Sequence, residues 1–353
     1  MRIIPRKDII SLKPYQIEGR KYPVKLDANE SPFDMDSKLK TALLNKLKKI
    51  EFNRYPDGNA SELKKALAGY LKVKESNLCV GNGSDEVLQC IITAFCGKKD
   101  KVVFPVPSFS IYKILTLIAG AEPVSVNLVQ RLNTFDLNSE AIAGETKKAK
   151  LLIIAYPNNP TGNCFSEDII RNIIGHKKTI VIIDEAYHEF CGKTFLPLIK
   201  SHENLIVLRS FSKVLGLAGI RVGVAIANKN IIKEVEKVRL PYNVNSISQE
   251  IALFALKNKS RIFANIKKII KERERLFDGL LKIKKVFPFK SDANFVLFMV
   301  ENADMVYENL KKKGILVRNL NEPGILNNCL RVTVGTKSEN NKFLKELKNY
   351  EKS

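Results

Sequence analysis

Short apolar runs alternate with amphipathic segments along the first two thirds of the chain. Continuous apolar runs lie at residues 101–104, 151–155, 179–183, 205–208 and 222–227. The segments between them place apolar residues at helical spacing. Buried strands that alternate with helices are typical of a mostly parallel sheet covered on both faces. The pattern therefore predicts an α/β fold in which ligands bind beyond the carboxyl ends of the strands.

The last third of the chain has a different pattern. Long amphipathic segments follow residue 228, and they precede a strand pattern at 294–300 and a helical pattern at 303–313. Two more strand patterns, at 315–318 and 330–334, come before a final helical segment. These features predict a second, smaller α/β domain. We therefore expect an N-terminal arm over residues 1–28 that is associated with the small domain, a large, ligand-binding domain over 29–244 and a small C-terminal domain over 245–353.

Composition narrows the class of protein. The 353 residues include 59 basic and 37 acidic side chains, and a formal net charge of +22 attracts polyanions. The lysines are spread over many helical faces and no nucleic-acid-binding motif occurs, so we expect no nucleic-acid partner. No apolar stretch is long enough to cross a bilayer, and the N-terminus lacks a signal-peptide core. We therefore expect a cytoplasmic protein without a membrane partner.

Cysteine and histidine positions give no metal pattern. The six cysteines are at positions 79, 90, 96, 164, 191 and 329, with neither a CxxC motif nor a histidine at zinc-ligand spacing. Cytosolic cysteines are usually reduced and often buried. We expect six reduced, buried thiols and no metal site.

Polar side chains follow the apolar runs of the first domain. Asn159 comes after the run at 151–155, and Asp184 with Tyr187 comes after the run at 179–183. Lys213 follows the run at 205–208. Because parallel strands end along one edge of a sheet, these side chains are expected to meet there. A lysine between two buried runs is costly unless its charge or its nitrogen is used, and one shared site supplies that use.

The residue types at this edge suit one kind of chemistry. The amine of Lys213 can capture an aldehyde, and Asp184 can hold a protonated ring nitrogen. Tyr187 and Asn159 can hydrogen-bond a phenolic oxygen. Ser210 and Arg221, with the amides of a helix that opens at residues 83–85, can hold a phosphate. Pyridoxal 5′-phosphate is a phosphorylated pyridine aldehyde that meets all of these demands.

Ordered motifs carry a resemblance to a known family. The segments 159–162 and 210–213, together with Asp184, Tyr187 and Arg221, resemble the signature of fold-type I pyridoxal-phosphate-dependent aminotransferases. Further motifs narrow the resemblance to the histidinol-phosphate aminotransferase family, and they lie at residues 26–32, 54–57, 83–86, 107–112, 293–296 and 330–336. The resemblance implies a large domain with a mostly parallel seven-stranded sheet between helices, and a smaller C-terminal α/β domain.

The resemblance also implies roles for individual residues. Lys213 would bind the cofactor aldehyde and move the substrate proton, with Asp184 and Tyr187 as further catalytic residues. The cofactor-binding residues would be Ser84, Asp85, Phe109, Asn159, Asp184, Tyr187, Ser210, Lys213, Arg221 and Tyr55. Phe109 would stack on the cofactor ring. Tyr55 would reach the cofactor phosphate of a neighbouring subunit, which implies a homodimer with shared sites.

Substrate recognition is expected at Tyr15, Asn29, Arg318 and Arg331. The two arginines lie on neighbouring predicted strands and provide two planar forks, which favours a substrate phosphate, although both could also be structural ion-pair partners. The family's reaction is transamination between histidinol phosphate and 2-oxoglutarate, giving imidazole-acetol phosphate and glutamate, in histidine biosynthesis. An aromatic amino-acid aminotransferase, a threonine-phosphate decarboxylase-like enzyme and a non-catalytic binding protein of the same fold stay open as alternatives.

Overall fold

The structure is a computed structural model that describes residues 5–10, 12, 14, 18–19, 21–176 and 178–351. Its strands are β1 Val24–Lys25, β2 Leu78–Gly81, β3 Lys101–Val106, β4 Glu122–Asn127, β5 Val129–Arg131, β6 Thr134–Asp136, β7 Leu151–Ala155, β8 Ile180–Asp184, β9 Leu205–Ser210, β10 Gly223–Ala227, β11 Val286–Pro288, β12 Phe295–Val300, β13 Ile315–Leu316, β14 Arg318–Asn319 and β15 Cys329–Thr333. Its α-helices are α1 Lys7–Ile10, α2 Ser37–Leu47, α3 Ser61–Leu71, α4 Ser84–Phe95, α5 Ile111–Ile118, α6 Ser139–Thr146, α7 Glu167–Gly175, α8 His188–Cys191, α9 Lys229–Val238, α10 Ser246–Lys257, α11 Lys259–Leu281, α12 Ala303–Lys312 and α13 Lys337–Glu351.

A seven-stranded sheet forms the centre of the fold. Its strand order is β2-β10-β9-β8-β7-β3-β4. The pairs from β9 through β4 are parallel, and β10 runs antiparallel to both β9 and β2. This is the mostly parallel seven-stranded sheet that the family resemblance implies. The parallel strands end along one edge, where the polar residues are expected to meet.

Alternation along each central strand divides its side chains between two cores. In β7, Leu152 and Ile154 pack into one hydrophobic cluster, whereas Leu151 and Ile153 pack into the cluster on the opposite face. Successive strand residues point to opposite faces, so a continuous apolar run can fill both. Each fully buried Leu or Ile contributes about 1.5–3 kcal/mol relative to an exposed one. The buried central strands therefore hold the residues at their ends in fixed positions.

Helix starts are set by side-chain caps at several points. The carboxylate of Asp36 accepts a hydrogen bond from the backbone N–H of Leu39 at the start of α2. Asn245 and Asn302 play the same part for α10 and α12. These caps satisfy backbone donors that would otherwise lack an intrahelical partner. None of the helices in the described ranges is long and apolar enough to cross a membrane.

A smaller sheet lies in the C-terminal part of the chain. Its order is β11-β12-β15-β14, and all of its pairs are antiparallel. Near the N-terminus, β1 pairs in parallel with β13, so the segment after residue 23 is held against the C-terminal part. Helix α10 packs Ala252 and Leu256 into the core of the large sheet. The division of the chain at residues 28 and 244 stays a prediction.

The strand ends differ from the sequence-based expectation by one or two residues. The run expected at 179–183 forms β8 over Ile180–Asp184, so Asp184 is the last strand residue. The patterns at 151–155 and 205–208 correspond to β7 and β9, and the pattern at 222–227 corresponds to β10. Strands β2 and β4 were not predicted, because β2 has only four residues and β4 is half exposed and polar at alternate positions.

The expectation of six buried thiols is wrong for two cysteines. Cys79, Cys90, Cys96 and Cys329 are buried, but Cys164 and Cys191 are only partly buried. Cys164 lies in the connection between β7 and α7. Cys191 is the last residue of α8, the short helix that follows β8. Connections run over the surface of a fold, and their side chains retain access to solvent.

Candidate active site

Lys213 lies just beyond the end of β9, half-buried at the edge where the parallel strands end. Its Nζ donates a hydrogen bond to the backbone carbonyl of Ala28 at 2.8 Å. Burial of the amine, with a further contribution from the positive charge of Arg331, lowers the pKa of Lys213 to about 8. A lysine with this pKa is partly neutral near physiological pH, and a neutral amine is a nucleophile.

Asp184 ends β8, and its carboxylate is buried close to the same edge. The hydroxyl of Tyr112 donates to Asp184 Oδ2 at 2.7 Å, and the backbone N–H of Ala186 donates to Oδ1 at 3.1 Å. Burial raises the pKa of Asp184 to about 6, although both hydrogen bonds act in the opposite direction. The carboxyl group is therefore mostly ionised at neutral pH and can hold a cation such as a protonated ring nitrogen.

Tyr112 is a site residue that the sequence analysis did not single out. Its side chain is fully buried, and burial is the main reason that its pKa is raised well above the usual range. The available signal was its place in the motif at 107–112, three residues after Phe109, which lies in the turn before α5. The two rings are in edge-to-face contact, with centroids 5.8 Å apart.

Tyr187 and Asn29 form a buried pair next to this carboxylate. Asn29 Nδ2 donates to the Tyr187 hydroxyl oxygen at 3.0 Å, and the hydroxyl of Thr333 donates to Asn29 Oδ1 at 3.3 Å. Burial raises the pKa of Tyr187 to about 12, so the phenol stays protonated and remains a donor at neutral pH. The side chain of Asn29 is thus used within the protein, and its predicted contact with substrate stays a prediction.

The start of α4 and the guanidinium of Arg221 form a cradle for an anion. The helix begins at Ser84, directly after Gly83, which has a φ of +87°. Arg221 donates to Asp85 Oδ2 at 2.9 Å and to the Ser212 hydroxyl at 3.2 Å. Free N–H groups and the helix dipole at such a terminus attract phosphate, and the arginine adds a formal positive charge.

Close backbone approach shapes this cradle. A Cβ at Gly83 would overlap the Arg221 guanidinium, and a Cβ at Gly223 would overlap the backbone of Ser84. Arg221 itself has a φ of +50°, a left-handed conformation that is costly for a residue other than glycine. Ser210 lies at the end of β9 opposite Gly223, and its hydroxyl oxygen accepts from the Ser212 N–H at 3.2 Å.

Two arginines lie side by side across a strand pair. Arg318 in β14 is the register partner of Arg331 in β15. The two arginines thus lie on neighbouring strands, as predicted. Arg331 donates to Asn159 Oδ1 at 2.5 Å and to the carbonyl of Asp27 at 2.7 Å, and it lies over the ring of Phe295. Like charges directly opposite each other in a sheet are unfavourable, and an anion between them reverses that effect.

Not all predicted residues belong to this cluster. Tyr55 is 81% exposed, and its ring stacks on Tyr242 with centroids 4.5 Å apart. Tyr15 lies outside the described residues. Within the part of the chain that the structure describes, no group of three or more metal-ligating side chains occurs. The cluster therefore contains the predicted residues Asn29, Ser84, Asp85, Phe109, Asn159, Asp184, Tyr187, Ser210, Lys213, Arg221, Arg318 and Arg331.

The geometry fits pyridoxal 5′-phosphate on three counts. An amine of lowered pKa is present at Lys213, and an ionised carboxylate at Asp184 is available for a ring nitrogen. At the start of α4, the absence of side chains at Gly83 and Gly223 lets the Arg221 guanidinium and the Ser84 backbone come close together, which sets a cation beside the N-terminus of a helix, where a phosphate binds well. The site thus combines an aldehyde-binding amine, a carboxylate and a phosphate cradle.

Comparison with known proteins agrees with this geometry. Residues 21–347 match the sequence model of the family described as aminotransferase class I and II. A histidinol-phosphate aminotransferase of Caldanaerobacter subterraneus subsp. tengcongensis is 43% identical over 343 residues, 97% of each chain. One from Ruminiclostridium cellulolyticum is 40% identical over 346 residues, with 97% of this chain and 96% of the relative covered.

A solved structure extends the likeness to the fold. The histidinol-phosphate aminotransferase from Clostridium acetobutylicum superposes with a TM-score of 0.85 at 29% identity, covering 93% of this chain and 99% of that chain. Fold and comparisons together define a pyridoxal-phosphate-dependent aminotransferase built around a seven-stranded sheet. The chain belongs to the class I and II aminotransferase family.

Proposed function

We propose that the chain catalyses transamination between histidinol phosphate and 2-oxoglutarate in histidine biosynthesis, with pyridoxal 5′-phosphate as its cofactor. The products are imidazole-acetol phosphate and glutamate. The adjacent arginines Arg318 and Arg331 carry this proposal, because their two guanidinium groups match a substrate phosphate. Relatives about 40% identical over nearly the full chain bear the same enzyme name and support it. We infer a cytoplasmic location from this biosynthetic role.

Cofactor binding is assigned to residues at both ends of the cluster. Arg221, Ser210 and the first amides of α4 would hold the phosphate, while Asp85 fixes the Arg221 guanidinium. Phe109 would cover one face of the ring. Asp184 would pair with the ring nitrogen and keep it protonated. When bound, pyridoxal 5′-phosphate supplies an electron sink that stabilises negative charge on the substrate carbon.

Lys213 performs the proton transfer in this proposal. Its pKa of about 8 leaves a fraction of the amine neutral at neutral pH, so Nζ can take a proton from the substrate carbon and return it. Tyr187 stays protonated and would donate a hydrogen bond to the phenolic oxygen of the cofactor, and Asn159 would contribute a second polar group there. The desolvation that lowers the lysine pKa is thus the feature that makes the amine useful as a base.

Substrate selection is assigned to the arginine pair. Arg331 is held by Asn159, by the Asp27 carbonyl and by the ring of Phe295, so its fork has little freedom to lose on binding. Arg318 adds a second fork on the adjacent strand. A phosphate accepts from both forks, and the distal carboxylate of glutamate uses the same positions in the other half-reaction. Tyr15 is proposed as a further phosphate ligand.

A homodimer with shared sites forms part of the proposal. Tyr55 is highly exposed and stacks on Tyr242. Phe52 and Leu240, each within three residues of one of these tyrosines in the sequence, are 80% and 70% exposed. Exposed aromatic and apolar side chains of this size are typical of subunit interfaces. We propose that this surface is covered by a second copy of the chain and that Tyr55 reaches the partner's cofactor phosphate.

The decisive experiment compares substrates with and without the phosphate. Purified enzyme loaded with pyridoxal 5′-phosphate is assayed for kcat/KM with histidinol phosphate and with histidinol. Two charge-assisted contacts of about 1.5–3 kcal/mol each predict a preference of at least about 100-fold for the phosphorylated substrate. In Arg318→Gln the preference should fall at least about 10-fold, whereas Lys98→Gln, at an exposed site outside the cluster, should leave it unchanged.

Other outcomes of the same assay separate the alternatives. A higher kcat/KM with phenylalanine or tyrosine would favour the aromatic aminotransferase, and release of carbon dioxide from threonine phosphate would favour the decarboxylase. Lys213→Ala tests whether the chain is an enzyme at all, since it removes the amine and should abolish amino-group exchange. If Lys213→Ala retained exchange activity, the assigned role of the lysine would be wrong.

A further inference from the structure

The turn before α4 is held by a side chain from the helix itself. Glu86 lies in the first turn of α4, and its Oε2 accepts a hydrogen bond from the backbone N–H of Asn82 at 2.5 Å. Within the turn, the Gly83 N–H donates to the Gly81 carbonyl at 2.9 Å. The arrangement resembles a capping box, in which a glutamate early in a helix satisfies a backbone donor at the helix start. Glu86 therefore fixes the path of residues 81–83 into the phosphate cradle.

Close packing leaves this carboxylate little room to move. A Cβ at Gly81 would lie only 2.8 Å from Glu86 Oε2 and 2.5 Å from the side chain of Val87. Gly81 is the register partner of Gly223, where an added Cβ would overlap the Ser84 backbone. Strands β2 and β10 thus both lack a side chain where they meet the start of α4. A shift of the Glu86 carboxylate would therefore be passed on to the first residues of the helix.

A second side chain, from outside α4, holds the same carboxylate oxygen. Asn243 lies in the connection between α9 and α10, and its Nδ2 donates to Glu86 Oε2 at 2.7 Å. The same Nδ2 lies 3.3 Å from the carbonyl of Val80 in β2, to which it also donates. Asn243 thereby joins the strand before the turn to the helix after it. Because Oε2 accepts from both Asn82 and Asn243, the Glu86 side chain is fixed from two directions.

Arg239 sets the orientation of the Asn243 amide. Its Nη1 donates to Asn243 Oδ1 at 2.8 Å and to the Gly58 carbonyl at 3.0 Å, and its Nε donates to Glu236 Oε2 at 2.6 Å. A guanidinium only donates hydrogen bonds, so it requires the oxygen of the amide on its own side. The NH₂ group of Asn243 must then face Glu86. The Arg239 side chain is only 10% exposed, and hydrogen bonds from a charged donor at such a site are strong.

We propose that Glu86, Asn243 and Arg239 are positioning residues for the phosphate of pyridoxal 5′-phosphate. They act by holding the turn at 81–83, so that the N–H groups at the start of α4 and the Arg221 guanidinium point to one anion. Their role depends on the proposed phosphate cradle. The negative charge of Glu86 opposes the binding of a nearby phosphate, whereas its hydrogen bonds shape the cradle. Charge and position thus have opposite effects on cofactor affinity, and an experiment can separate them.

The test compares the affinities for two aldehydes that differ only in the phosphate. Cofactor-free proteins are titrated with pyridoxal 5′-phosphate and with pyridoxal, and absorbance gives each Kd. Glu86→Gln keeps an oxygen that can accept both hydrogen bonds, so its Kd for pyridoxal 5′-phosphate should stay within about 2-fold of wild type. Glu86→Ala loses both bonds and should raise this Kd about 30-fold, and Asn243→Ala and Arg239→Met should each raise it about 10-fold. The Kd for pyridoxal should not change, because Lys213 and Asp184 are intact in every variant.

Glu140→Ala is the matched control, because it removes a glutamate from the first turn of α6 and should leave both Kd values unchanged. Equal losses of affinity for the two aldehydes would overturn the proposal, since the variants would then disturb the whole site. Tighter binding of pyridoxal 5′-phosphate in both Glu86 variants would also overturn it, because the carboxylate would then act only through its charge. If Glu86→Ala does not fold, Asn243→Ala decides the question, as it keeps the carboxylate. The titration contains no amino substrate, so its result is independent of the proposed transamination.

Discussion

The buried hydroxyl of Tyr112 controls the charge state of Asp184. Burial alone favours the neutral carboxylic acid, while the hydrogen bond from Tyr112 at 2.7 Å stabilises the carboxylate. The pKa of about 6 is the net result of these opposing effects. A carboxylate at this position is what a protonated ring nitrogen requires. Tyr112 is therefore a positioning residue that acts through Asp184.

Tyr112→Phe should reduce activity and shift its pH dependence. Loss of the hydrogen bond raises the pKa of Asp184, so the carboxylate becomes protonated at a higher pH and the acid limb of kcat/KM moves upward. With about 1.4 kcal/mol lost, kcat/KM should fall about 10-fold at neutral pH. Tyr70→Phe removes a hydroxyl outside the cluster and serves as control. An unchanged pH profile in Tyr112→Phe would show that the bond does not govern the carboxylate.

Lys213 makes the folded protein less stable than it would be with an uncharged side chain. Its pKa falls from 10.5 to about 8, chiefly through burial, so between these values the unfolded chain binds a proton that the folded chain has released. Stability rises with pH wherever the unfolded state binds more protons. The contribution of Lys213 therefore lowers the free energy of unfolding by its full amount below about pH 8, and this effect disappears as the pH approaches 10.5.

Urea unfolding of the cofactor-free protein measures this contribution. The free energy of unfolding of wild type, relative to Lys213→Met, should increase by about 2 kcal/mol between pH 7 and pH 10. The comparison cancels the titration of other groups because both proteins share them. Lys98→Met, at an exposed position, should show no comparable pH-dependent difference. A constant difference between wild type and Lys213→Met across this range would contradict the lowered pKa.

At the scale of elements, the phosphate cradle depends on how closely β10 approaches the start of α4. Gly223 lies opposite Ser210 in the sheet, and its Cα is so near the Ser84 backbone that an added methyl group would overlap it. The clash is with main-chain atoms, which cannot rotate away as a side chain can. The helix start would have to move, and its N–H groups would no longer point to the same place.

Gly223→Ala should therefore weaken cofactor binding as well as stability. Overpacking of this kind costs about 1–3 kcal/mol, and displacement of the cradle should raise the Kd for pyridoxal 5′-phosphate about 10-fold. Gly219→Ala is the matched control, because nothing lies within 4 Å of a Cβ at that position. Spectrophotometric titration of the cofactor-free proteins gives the Kd. Equal affinities for the two variants would show that the cradle does not require this approach.

Element patterns explain why much of the site was predictable from the sequence. Apolar runs located β7, β8 and β9, and the polar residues after them could be placed at one edge because parallel strands end together. The cross-strand neighbours Arg318 and Arg331 followed from two short strand patterns. Such inferences need only local periodicity and one rule of sheet geometry.

Other parts of the site depend on contacts that no local pattern encodes. The acceptor for Lys213 is the backbone carbonyl of Ala28, 185 residues away in sequence, and every residue has such a carbonyl. The bond from Tyr112 to Asp184 joins a helix to a strand that is not its sequence neighbour. Only the assembled fold reveals these partners.

At the scale of the whole molecule, contacts across the two sheets hold Arg331, the proposed substrate ligand, in a fixed position relative to the ends of the large-sheet strands. Arg331 belongs to the small sheet, yet it donates to Asn159, which follows β7 of the large sheet. Asp292, just before β12, is bonded to Gly162 and Cys164 in the same connection. Changes in the relative position of the two sheets are thus transmitted directly to Arg331.

The proposed dimer predicts complementation between two defective subunits. Lys213→Ala removes the amine of its own site, whereas Tyr55→Ala removes a residue that acts in the partner's site. In a mixed dimer, the site with Lys213 receives Tyr55 from the other subunit and is complete, while the second site lacks both. Random mixing gives mixed dimers in half of the population, so about a quarter of all sites should regain full activity.

The two variants are refolded together or co-expressed. The kcat per subunit of the mixture is then compared with the kcat per subunit of each variant alone. Activity near a quarter of wild type, with unmixed samples well below it, supports a shared site. If Tyr55 acted within its own subunit, no subunit in the mixture would carry both residues and activity would stay at the average of the two variants. Tyr242→Ala should weaken the effect as well, because Tyr242 stacks on Tyr55 and fixes its exposed ring. Sedimentation of each protein checks that dimers are present, so a failure of complementation cannot be confused with a failure to assemble.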